Sequence, residues 1–120
     1  MESLQGKVAL VTGGGRGIGE AVALKLARAG AHVVVNDRDA GAAAAVVTAI
    51  DAAGGTAVAC DGDVTESGFA ERFVDLALER FGGVDVVVNN AGYPWDAVIQ
   101  RTSDEQFERM LEVHLVAAFR

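Results

Sequence analysis

Four short runs of β-branched residues alternate with longer stretches of helical spacing, and that alternation restricts the possible folds more than any other feature of the chain. Val8 to Val11 is apolar throughout and ends in a glycine cluster, which suits a strand buried on both faces. From Gly17 to Ala29, Ile18, Val22, Leu24, Leu26 and Ala27 are spaced for a helix packed on a sheet, and Gly30 closes it. His32 to Asn36 reads as a second strand. Arg38 to Ala53 is alanine-rich and reads as a helix stopped by Gly54 and Gly55. Thr56 to Cys60 is a third strand, and Glu66 to Phe81 a helix carrying Phe69, Phe73, Leu76 and Phe81. Val84 to Asn89 is a fourth strand. After a loop holding Pro94, Thr102 or Ser103 can cap a last helix, each with a capping-box partner, Glu105 or Gln106.

Such alternation requires right-handed crossovers and a parallel sheet covered by helices on both sides, an α/β doubly wound architecture. With the usual winding the strand order is 3-2-1-4, and a ligand cleft opens beyond the carboxyl ends of strands 1 and 4. Hydrophobic residues make up 51% of the 120 residues, enough for one buried core, and no linker or second domain is visible. Seventeen acidic residues against ten basic give a net charge of −7, which disfavours nucleic acid as a partner. An anionic ligand must then be held by local dipoles against the global field. Cys60 is the only cysteine, so no intrachain disulfide forms and no thiolate metal cluster can assemble; it reads as a small buried apolar residue. There is no signal-peptide pattern and no apolar stretch near the roughly 20 residues that span a bilayer, so a cytoplasmic protein without membrane contact is expected.

The glycine cluster lies where the first strand turns into the first helix: Thr12-Gly13-Gly14-Gly15-Arg16-Gly17-Ile18-Gly19. Glycine there lets the backbone approach a ligand without an intervening Cβ. The helix beyond presents unpaired N–H groups and a partial positive charge suited to a pyrophosphate. Neither a G-x-G-x-x-G frame nor a P-loop fits these residues. What fits is T-G-x-x-x-G-x-G, with Gly13, Gly17 and Gly19 at the key positions. A plain tight turn is the bland alternative for any one such element.

With three further stretches, this string resembles the short-chain dehydrogenase/reductase family, and more weakly its 3-hydroxyacyl-thioester dehydrogenase and 3-oxoacyl-carrier-protein reductase members. Asp37 ends the second strand, Asp63-Val64 follows the third, and Asn89-Asn90-Ala91-Gly92 matches the family's N-N-A-G. The resemblance implies a Rossmann-type sheet and a nicotinamide dinucleotide cofactor. It places Gly13, Arg16, Gly17, Ile18 and Gly19 around the pyrophosphate and Asp37 on the adenosine ribose. Asp63 and Val64 fall by the adenine, Asn90 and Ala91 lie beside the cofactor ribose and steady the central strands, and Gly92 belongs to the same cofactor-binding turn. A carboxylate at Asp37 favours NAD, since a 2′-phosphate would face a like charge. Arg16 and Arg38 can soften that penalty, and a basic residue at the Arg16 position often accompanies NADP in this family. NAD is the preferred reading and NADP the other.

The family's chemistry rests on Ser, Tyr and Lys in Y-x-x-x-K spacing with an assisting Asn, the Tyr exchanging a proton with the substrate oxygen while hydride moves. Here Tyr93 is followed four positions later by Ala97, and the lysines, Lys7 and Lys25, both belong to the first unit. The assisting Asn falls in a stretch like V-N-L-x-x-x-F, which reads Val113-His114-Leu115 to Phe119, so His114 stands in its place. A backbone-satisfied structural histidine is the alternative there, and His32 reads as structural too. The expectation is thus a single dinucleotide-binding half-domain over residues 1–120, ending before the catalytic set and inactive alone. It would come from an oxidoreductase acting on an alcohol or ketone that is homo-oligomeric when complete. A non-catalytic nucleotide-binding or subunit-pairing module and a methyl-donor-binding domain are the competing readings. A fourth strand left at the sheet edge would make the isolated chain self-associate.

Overall fold

The computed structural model describes residues 3–90, in the order β1 (Val8–Val11), α1 (Gly17–Arg28), β2 (His32–Asp37), α2 (Ala40–Ala52), β3 (Thr56–Asp61), α3 (Phe69–Phe81) and β4 (Val86–Val88). The helix expected after Thr102 or Ser103 lies outside the described residues. The four strands form one parallel sheet in the order β3-β2-β1-β4, the order expected of the usual winding. Val8 pairs with His32 and Val11 with Val35 on one side of β1, while Ala9 to Val11 pair with Val86 to Val88 on the other.

Strand periodicity divides the core between two layers. Val8, Leu10, Val34 and Cys60 face α3, where Phe69, Phe73, Val74 and Ala77 are buried. Ala9, Val11, Val33, Val35 and Ala57 face α1 and α2, meeting Ala23, Ala27, Ala43, Val46 and Ile50. The second layer is rich in alanine, which lets both helices lie close to the sheet. The first is filled by two phenylalanines with ring centroids 5.1 Å apart, each contributing roughly 1.5–3 kcal/mol by burial. His32 sits at the amino end of β2 with its ring edge-on to Phe81, centroids 5.0 Å apart, a packing role as read from the sequence.

Element ends fall within one residue of the sequence expectation, while three starts differ by two or three residues, each where a side chain competes for the backbone. α2 starts at Ala40, not Arg38, because Asp39 takes the N-cap position and its carboxylate accepts the Ala42 N–H at 3.1 Å. α3 starts at Phe69, not Glu66, because Asp63 accepts bonds from the Thr65 N–H and hydroxyl, holding 63–66 in a turn that Gly68 (φ +82°) ends. β4 begins at Val86, not Val84. The Asp85 N–H donates to the Val8 carbonyl at 2.8 Å and its carboxylate accepts the Val8 N–H at 2.9 Å.

Candidate functional site

The carboxyl ends of β1, β2 and β4 converge on the glycine loop. Loop residues 13–15 are all glycine and offer only backbone groups, and most of the groups that hold them are side chains at the strand ends. The Gly13 N–H donates to Asn36 Oδ1 at 3.3 Å, the Gly14 N–H to the Asn36 carbonyl at 2.7 Å, and the Gly15 N–H to Asp37 Oδ2 at 3.0 Å. From the other side, Asn90 donates its N–H to Thr12 Oγ1 at 3.0 Å and its side-chain amide to the Gly13 carbonyl at 3.2 Å. Thr12 in turn reaches the Val88 carbonyl through both its N–H (3.1 Å) and its hydroxyl (3.3 Å). The loop is therefore held from β2 and β4 at once, a preorganised backbone.

Two glycines of the motif have distinct physical reasons. Gly17 has φ +58° in open space, so it supplies the left-handed turn into α1. A Cβ on Gly19 would collide with the Gly13 carbonyl oxygen and the Asn90 amide nitrogen, so its absence lets the helix approach the loop. The helix opens without a side-chain cap: Arg16 is extended at the N-cap and makes no capping bond, whereas α2 has Asp39. An uncapped first turn leaves amides directed beyond the helix end, where an anion is favoured. Ile18, in that turn, is a large apolar side chain 76% exposed.

Asp37 is buried at the end of β2, and both its oxygens accept backbone N–H groups, Oδ2 from Gly15 and Oδ1 from Asp39 (3.0 Å). Each carboxylate oxygen has a second lone pair, so acceptor capacity for hydroxyls remains. Arg16 is paired with Asp39 at 3.2 Å and Arg38 with Asp63 at 3.7 Å. Val64 is buried with the α3 layer, beneath Asp63 rather than at the surface. Of the residues singled out in the sequence, Gly13, Arg16, Gly17, Ile18, Gly19 and Asp37 lie on the loop, the start of α1 and the end of β2. Asn90 is bonded to this loop, and Asp63 follows β3. Ala91, Gly92 and His114 lie outside the described residues, as does Tyr93.

Two contributors escaped the sequence reading. Asn36 is 2% exposed and spans the strands, its Nδ2 donating to the Cys60 and Gly62 carbonyls at 3.0 Å each. Asp39 joins the α2 cap to Arg16. A polar residue inside a valine run was the available signal for Asn36. Its partners are distant in sequence, so the role was not. Away from the loop, burial pushes the Cys60 thiol above its ordinary range, with Arg72 lowering it and Asp61 raising it by smaller amounts. Among the described residues there is no grouping of His, Cys, Asp and Glu that could hold a metal, and no helix is long and apolar enough to cross a membrane.

Comparison with known proteins agrees with this geometry. The sequence profile of the short chain dehydrogenase family matches residues 7–120. A hydroxyacyl-CoA dehydrogenase of Mycobacterium tuberculosis is 46% identical over 121 aligned residues, covering 97% of this chain and 38% of that protein. A 3-oxoacyl-[acyl-carrier-protein] reductase of Synechocystis sp. is 40% identical over 120, covering 99% of this chain and 49% of that protein. The structure of a 7α-hydroxysteroid dehydrogenase complexed with NADH and 7-oxo glycochenodeoxycholic acid superposes with a TM-score of 0.73. It is 40% identical, and the match covers 98% of this chain and 46% of that one. The chain spans less than half the length of each. With the profile match running from the first strand to the last residue, the chain belongs to the short-chain dehydrogenase family.

Proposed function

We propose that these 120 residues act as one nucleotide-binding unit of an oxidoreductase that moves hydride between a nicotinamide cofactor and an alcohol or ketone, with NAD preferred to NADP. The observation that carries this reading is the uncapped N-terminus of α1 at Gly17, set beside a buried carboxylate, Asp37, that retains acceptor capacity. The amides of the first turn suit a diphosphate, and Asp37 suits the hydroxyls of the adjoining ribose. Asp63 and the backbone of Val64 would border the adenine. Asn90, Ala91 and Gly92 would border the second ribose, and His114 would assist the catalytic groups. The bound nicotinamide would supply the hydride donor or acceptor; this chain's residues bind and orient it. The family, and the NADH held by the 7α-hydroxysteroid dehydrogenase, support a nicotinamide cofactor.

Preference for NAD rests on local charge. Three carboxylates, Asp37, Asp39 and Asp63, stand with two guanidinium groups, Arg16 and Arg38, around the end of β2, and each guanidinium is paired with a carboxylate. A 2′-phosphate would enter a site with no surplus of cations. The complete protein is proposed to be a cytoplasmic homo-oligomer acting on a small carbonyl or alcohol. Titration with NADH and NADPH, followed by nucleotide fluorescence, tests the reading. Tighter binding of NADH supports it, tighter binding of NADPH overturns the preference, and absence of binding by both overturns the site.

A further inference from the structure

The Arg16–Asp39 pair lies across the edge of the proposed nucleotide site, and its connections form a closed circuit. The Gly15 N–H donates to Asp37 Oδ2, the Asp39 N–H donates to Asp37 Oδ1, and Asp39 Oδ2 pairs with Arg16 Nη2, the residue after Gly15. Asp37 is thus ringed by the backbone that carries both members of the pair. The two oxygens of Asp39 have separate tasks. Oδ1 accepts the Ala42 N–H and caps α2, while Oδ2 holds the Arg16 guanidinium. Arg16 follows the loop that is bonded to the Asp37 carboxylate, so its guanidinium belongs to the same bonded circuit as the carboxylate proposed to meet the ribose. Arg38, adjacent to Asp37 in sequence, is paired with Asp63.

We propose that Asp39 adds to this chain's preference for NAD over NADP by occupying the Arg16 guanidinium that a 2′-phosphate would otherwise meet; it is a positioning residue acting through Arg16. The inference rests on the nucleotide site proposed above. Asp39 adds to discrimination by occupying the Arg16 guanidinium, which a 2′-phosphate would otherwise meet. Side-chain exposures of 69% for Arg16 and 56% for Asp39 mean that water screens the pair. The hold is therefore modest and reversible, and the discrimination it adds is a matter of several-fold in affinity.

Asp39→Asn separates the two tasks, because the amide oxygen can keep the α2 cap while the NH₂ group no longer attracts Arg16. Asp39→Ser does the same with a different cap. Dissociation constants for NADH and NADPH are measured by fluorescence titration at low salt on the wild-type chain and on both variants. They are also measured on Arg16→Gln with and without Asp39→Asn. The ratio of NADPH to NADH affinity is expected to rise about three- to fivefold in Asp39→Asn and Asp39→Ser, and that rise to vanish when Arg16→Gln is added. A general loosening of the loop would change both affinities together and would not depend on Arg16. If NADH binds the wild-type chain but the ratio stays within twofold in both variants, Asp39 has no such role and the nucleotide site itself stands. A ratio that rises equally without Arg16 also overturns the role. If neither nucleotide binds the wild-type chain, the site fails and this inference with it.

Discussion

Replacing Asn36 tests whether the glycine loop is held by one buried side chain. Asn36 is 2% exposed, accepts the Gly13 N–H at 3.3 Å and donates to the carbonyls of Cys60 and Gly62 at 3.0 Å each. Asn36→Ala removes three bonds and leaves one donor and two acceptors to find other partners. With each bond worth about 1 kcal/mol net, and more where a group is left dry, the loss is about 3 kcal/mol. For a chain of this size that corresponds to a melting temperature lower by about 12 °C. Asn36→Asp is nearly isosteric and keeps the acceptor for Gly13, yet it sets a carboxylate oxygen against two carbonyl oxygens. At neutral pH it should destabilise more than Asn36→Ala does. Thermal unfolding followed by far-UV circular dichroism on wild type and both variants measures the order. An alanine variant melting within about 3 °C of wild type, or an aspartate variant more stable than the alanine one, would refute the bridging role.

Further outcomes follow from other positions. Gly19→Ala should cost about 2 kcal/mol by forcing the helix off the Gly13 carbonyl and Asn90. Gly17→Ala, which meets no atom but must hold φ +58°, should cost about 1 kcal/mol; urea unfolding compares the two, and a larger loss at Gly17 would contradict the steric account of Gly19. Asp37→Ala should weaken NADH about tenfold and narrow its advantage over NADPH, as titration of both nucleotides would reveal; an unchanged ratio would remove Asp37 from the recognition of ribose. Because burial holds Cys60 in its thiol form, alkylation at pH 8 should be far slower in the native chain than in urea. The native state then retains a proton that the unfolded state releases, so stability should fall as pH rises from the ordinary thiol range through the raised value. Equal alkylation rates in the two states would contradict this.

Much of the fold was legible in residue patterns. Runs such as His32 to Asn36 could only be strands, because valine packs well on a pleated surface and the runs are too short for helices. Once strands and helices alternate, crossover handedness leaves few topologies, and the usual winding gives the order 3-2-1-4 that the sheet has. The loop was legible because its glycines are each tied to a geometry that side chains resist: the turn at Gly17 and the close approach at Gly19.

Tertiary structure decided what depends on contacts between residues remote in sequence. Asn36 reads locally as one polar residue in a valine strand, and only the stacking of β1, β2 and β3 turns it into a bridge. Arg16 reads as a loop cation, and only the start of α2 shows that Asp39 holds it. Periodicity reports which face of an element is apolar. It carries no information about which distant polar partner completes a hydrogen bond, and that pairing sets the shape and charge of the cleft.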